Sequence, residues 1–165
     1  MSFDLNILVI GQDKPSEFVS GIEIINERDE TLRYVTWSFM SSVQGVMYTL
    51  GTTEDGLYNA MAIIDTDFQS PKEYPYWIQD QDEISNLTPI IVKPKYEEDV
   101  IDLLKQMIDK SPIEMIMFMT RYQGGDKEIV CGTIPFDQFI LDLKSDRILF
   151  NTCYIIKKEK NASIQ

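Results

Sequence analysis

Apolar residues fall into short runs along this chain, separated by polar stretches that carry Gly and Pro, and the period changes from one run to the next. Residues 5–10, LNILVI, are brief and aliphatic and predict a first strand. Residues 15–27, PSEFVSGIEIINE, fit two templates. With Pro15 at a first helical position, Phe18, Val19, Ile22 and Ile25 would share one helix face; GIEIINE alternates equally well as a strand that turns at ERDE into TLRYVTWSF. Residues 45–67 predict a hairpin, because GVMYTLGT and LYNAMAIIDTD flank TEDG, and Asp55-Gly56 is a turn signal. Gly51 would mark a bulge or the end of its strand.

Residues 68–89 keep no period and contain Pro71 and Pro75; NLTPIIVKP then gives a short strand closed by Pro94. The second half is clearer. KYEEDVIDLLKQMIDK, residues 95–110, places Val100, Leu103, Leu104, Met107 and Ile108 on one helical stripe. Its acids Glu97, Glu98 and Asp99 come early and Lys110 comes last, which suits the helix dipole, and Pro112 blocks continuation. IEMIMFMTRY predicts a strand apolar on both faces and therefore central; QGGDK predicts a turn and EIVCGTI its hairpin partner. PFDQFILDLKSD predicts a short helix with Phe136, Phe139, Ile140 and Leu143 inward, and RILFNTCYIIKK a final strand. Many hairpins and few helices predict an α+β fold, a largely antiparallel sheet with two or three helices packed on one face. One domain is expected over residues 1–158, with a polar tail at 159–165.

Composition narrows the chemistry. At 165 residues and 44% hydrophobic the chain can bury a core without disulfide or metal support. Cys131 and Cys153 lie in strand-like runs, which predicts buried, reduced thiols. No apolar run approaches a membrane span, and the N-terminus lacks a basic flank, so a cytoplasmic protein is expected. Histidine is absent, which removes Ser–His and Cys–His nucleophile pairs, imidazole bases and imidazole metal ligands.

The formal charge is −12, unevenly spread: −4 over residues 1–33, −7 over 34–92 and −1 over 93–165. Binding nucleic acid or an anionic membrane requires Lys and Arg to meet phosphate, so neither is expected as a partner. A basic protein would be attracted and steered.

The sharpest catalytic candidate is AIIDTDF, where Asp65 and Asp67 at a strand end could share a divalent cation. Asp-x-Asp arises readily in an acidic chain, and Phe68, Gln69 and Ser70 depart from the aspartyl-phosphatase pattern of Gly and Thr after the second acid. Asp80, Asp82 and Glu83 lack the turn Gly of an EF-hand loop. GQDK (11–14) and QGGDK (123–127) lack phosphate-loop spacing. No cofactor is expected, and an enzyme is not.

A binding reading needs less. Tyr74, Tyr76 and Trp77 are interface-type anchors, and Asp65, Asp67, Glu73, Asp80, Asp82 and Glu83 around them would pair with Lys or Arg of a partner. The alternative is that the aromatics fold back as a lid on the core and leave only the acids outside. In size, acidity and its ending, GTIPFDQFILDLKSDRILFNTCYII, a helix and then a closing strand, the chain resembles the immunity proteins of bacterial polymorphic toxin systems. That resemblance implies a non-catalytic inhibitor whose partner is a cognate toxin domain, a basic nuclease being the class that carboxylates would suit by mimicking phosphates. It carries over no particular residues and no oligomeric state. A divalent-metal enzyme at Asp65/Asp67, or a structural subunit of a larger complex, are the alternatives.

Overall fold

The computed structural model describes residues 3–26, 40, 42–54, 57–59, 63–65, 89–122 and 129–158. Strand β1 (Phe3–Ile10) is the centre of a seven-stranded sheet. It is flanked on one side by β3 (Gly45–Glu54) and on the other by β7 (Met115–Tyr122), both antiparallel. Beyond β3 lies β2 (Glu23–Asn26), and β4 (Leu57–Asn59) pairs with the far end of β3. Beyond β7 come β9 (Thr152–Lys157) and then β8 (Ile129–Pro135) at the edge. A separate ribbon joins β5 (Ile64–Asp65) to β6 (Ile91–Val92). Two helices complete the described elements, α1 (Pro94–Lys110) and α2 (Phe136–Lys144).

The alternation within β1 explains its central place. Leu5, Ile7 and Val9 point to one face and Asn6 and Leu8 to the other, and all are buried. The first face meets both helices: Val100, Leu103, Leu104, Met107 and Ile108 of α1, and Phe136, Phe139 and Leu143 of α2, share its core. Phe139 stacks edge-on against Phe118 at 5.0 Å and against Tyr154 at 5.7 Å between ring centroids. The second face holds a smaller cluster of Leu8, Met40, Met47, Met117, Met119 and Cys153. Asn6 is buried on that face, and its side-chain carbonyl accepts a 2.9 Å hydrogen bond from the hydroxyl of Thr49, its register partner on β3. Burying that polar group would otherwise cost about 1–3 kcal/mol.

The α+β class, the sheet and the helix at 95–110 with its five-residue stripe stand as expected. The 45–67 hairpin is present in its first part, with Glu54 opposite Leu57 across Asp55-Gly56. Three expectations are corrected. Of the two templates for residues 15–27, the helical one fails at 15–20, and the alternating one holds at Glu23–Asn26 among the described residues. Gly51 neither bulges nor ends its strand; it pairs with Glu23 inside a regular ladder.

The third correction changes the topology. β8 is not the hairpin partner of β7: β9 lies between them, antiparallel to β7 and parallel to β8. The sequence β8–α2–β9 is therefore a βαβ crossover, which lets α2 fold back onto the helical face. Burial explains the order. β9 is buried nearly throughout, as an interior strand must be, whereas β8 exposes Val130, Gly132 and Thr133 and ends at Pro135, residues suited to an edge. Asp146 and Asn151 take left-handed backbone (φ 57° and 58°) in the turns before β9, a conformation these side chains tolerate.

Candidate partner-binding surface

The β5–β6 ribbon places the first of the expected site residues. Ile63, Ile64, Ile90 and Val92 are buried in the main core. The Lys93 N–H donates to the Ile63 carbonyl at 2.8 Å across the ribbon, and the Ile90 N–H ties the ribbon to the segment before β9 through the Ile148 carbonyl at 2.6 Å. Asp65 closes β5 opposite Ile91 and is half-buried. Asp67, Glu73, Tyr74, Tyr76, Trp77, Asp80, Asp82 and Glu83 lie outside the described residues, as does TLRYVTWSF. Among the described residues no three Cys, Asp or Glu side chains come together so as to hold a metal ion.

A second acidic surface, which sequence reasoning did not single out, is built by residues 12–23 against α1. Gly11 turns the chain out of β1 with φ +78°, its α-carbon so close to Pro112 that a Cβ would sit 2.9 Å from the ring. A closed hydrogen-bond triangle then anchors the segment. The Tyr48 hydroxyl donates to Gln12 Oε1 at 2.8 Å, Gln12 Nε2 donates to Ser16 Oγ at 2.8 Å, and the Ser16 N–H donates to the Tyr48 oxygen at 3.1 Å. Phe18 packs edge-on against the same tyrosine ring, 5.2 Å between centroids. Next, Gln106 of α1 brackets Val19: its Oε1 accepts from the Val19 N–H at 3.0 Å, and its Nε2 donates to the Val19 carbonyl at 2.8 Å. Two residues on, Gly21 lies so near Asp99 that a Cβ would meet Oδ2 at 2.9 Å.

Asp99, Asp102 and Gln106 are spaced three and four residues apart and so share one stripe of α1. Residues 19–21 run along that stripe. The outcome is a fixed, extended segment that presents Val19 at 89% exposure, with Glu17 and Glu23 exposed on either side of it and Asp99 and Asp102 on the adjoining helix. Hydrogen bonds to its backbone and the packing of Phe18 hold the segment in place. The legible signal was Pro15, Ser16, Ser20 and Gly21, turn-forming residues inside a stretch that fits both a helical and a strand template.

Neither cysteine is set up as a nucleophile. Burial pushes the Cys131 thiol up to about 11, and the Asp142 carboxylate adds in the same direction. Cys153 is fully buried in the second cluster. Burial also raises the Tyr154 phenol well above its ordinary range, against the hydrogen bond its oxygen accepts from the Leu149 N–H at 3.0 Å. Among the described residues no helix is long and apolar enough to cross a membrane. No family model, no curated protein and no solved structure matches this chain.

Proposed function

We propose that this chain is a non-catalytic binding protein of the immunity type, which neutralises a cognate bacterial toxin domain by covering a basic active-site or substrate surface with its own carboxylates. The observation that carries the reading is the surface along α1: a solvent-facing valine on a rigidly held segment, accompanied by Glu17, Asp99 and Asp102. An exposed apolar side chain held in one conformation loses little entropy on docking. Carboxylates around it accelerate encounter with a cationic partner and disfavour anionic competitors. The strongly acidic 34–92 portion, with Asp65 at the outgoing end of β5, adds to the same field.

The test is binding to the toxin domain encoded beside this gene. Purified chain and domain should co-elute and the domain's activity should stop; association should slow steeply as salt rises while dissociation changes little. A neighbouring domain that neither binds nor loses activity overturns the proposal, and so does an association rate indifferent to salt.

A further inference from the structure

Among the described residues, buried sulfur is concentrated on one side of the sheet. On β7, Ile116 and Phe118 face the helices, whereas Met117 and Met119 face the other way. Of the six buried residues in the second cluster among the described residues, five carry sulfur: Met40, Met47, Met117, Met119 and Cys153. Among the described residues the main core has 26 buried residues, of which only Met107 and Cys131 carry sulfur, so a general liking for methionine does not account for the difference. Central strands favour β-branched and aromatic side chains, and fixing a methionine costs up to about 1.5–2 kcal/mol of rotamer entropy against about 0.5–1 for Ile or Leu. Packing alone would be met better by Ile and Leu.

The registers place these residues on adjoining strands of one sheet face. Met47 on β3 and Met117 on β7 both pair with Leu8 of β1, from opposite sides. Met119 stands two residues along from Met117 on the same face. Cys153 lies beside Met119, one step beyond the Phe118–Tyr154 pair of the β7–β9 ladder. Met40 joins the cluster from a turn closed by the Val43 N–H donating to its carbonyl at 3.1 Å.

We infer that Met117, Met119 and Cys153, with Met40 and Met47 as further donors, form a binding site for a soft monovalent cation of the Cu(I)/Ag(I) class. Thioethers and thiolate are the donors such ions select. Charge balance favours a monovalent ion over zinc. The cation displaces the thiol proton, which leaves to solvent, and the resulting metal–thiolate unit is neutral; thioethers add donors without charge. A divalent ion would leave a net positive charge among apolar side chains, at a large desolvation cost.

The experiment titrates silver(I) into the full chain carrying Cys131→Ala, which leaves Cys153 as its one thiol, and reads stoichiometry by native mass spectrometry and affinity by competition. One silver ion per chain, a raised melting temperature and release of one proton are expected. Met117→Leu with Met119→Leu nearly conserves volume. It should keep the silver-free melting transition and weaken silver binding at least tenfold; Met47→Leu serves the same comparison if the pair does not fold. Folded protein that takes up no silver, or leucine variants that bind it as tightly as the parent, overturns the site, the latter by reducing it to capture by a thiol alone.

Discussion

The side-chain amide of Gln106 grips both polar groups of the Val19 backbone, donating to its carbonyl at 2.8 Å and accepting from its N–H at 3.0 Å. One glutamine thus does for residue 19 what a neighbouring strand would do, and leaves the valine side chain in solvent. Gln106→Leu removes both bonds. Each contributes about 0.5–1.5 kcal/mol, so a loss of about 1–3 kcal/mol is expected in urea unfolding, with faster amide exchange at Val19. An unchanged midpoint with unchanged exchange would show that the Tyr48 triangle alone holds the segment.

Stability and binding should separate at residue 19. Val19 is 89% exposed, so Val19→Ser should shift unfolding by less than about 0.5 kcal/mol. In the proposed complex the same change removes an apolar anchor and should weaken affinity by about tenfold, a loss of more than about 1 kcal/mol. Glu17→Gln with Asp102→Asn should instead slow association and flatten its salt dependence. Stopped-flow rates over a salt series distinguish the two effects.

Phe139 is the point where α2 meets the sheet, fully buried between Phe118 and Tyr154. Phe139→Ala should cost about 3–5 kcal/mol. Leu141, two residues away on the same helix, is 60% exposed, and Leu141→Ala should stay within about 0.5 kcal/mol. Paired denaturation curves check the contrast. Equal losses would mean that α2 does not pack by its Phe136–Phe139–Leu143 face.

Alkaline pH should destabilise the fold. The Cys131 thiol ionises near 9.0 when unfolded and near 11 when folded, so between those values the folded state holds a proton the unfolded state has released. Its contribution is therefore full below pH 9.0 and is lost as pH rises toward 11. The loss should reach about 1–2 kcal/mol, because solvent at the edge strand screens part of the burial cost. Tyr154, raised in the same direction, extends the decline to higher pH. Urea midpoints from neutral to alkaline pH should fall in the parent, and fall less in Cys131→Ala.

Periodicity carried most of the elements. The α1 stripe was legible because five apolar residues recur at helical spacing, and β7 because apolar residues fill both of its faces. The position of β9 was also present in CYII, a run too apolar for an edge, but nearness in sequence favoured pairing β8 with β7. The Val19 surface was hidden by the same preference for regular elements. Residues 15–22 satisfy helical spacing on paper, yet Phe18 reaches Tyr48 while Val19 faces water, a division no period encodes.

By itself the sequence determined the helices at 95–110 and 136–144 and the strands around 5–10 and 115–122, that the chain is strongly acidic, and that histidine chemistry is closed to it, because these depend on local spacing and on residue counts. Only the tertiary structure decided that β9 separates β7 from β8, that Gln106 takes the backbone of Val19, and that the methionines of β3 and β7 share a face with Cys153. Those are contacts between residues tens of positions apart. Their choice turns on which arrangement buries the most apolar surface while pairing every backbone group, a competition settled by the whole chain and not by any one segment.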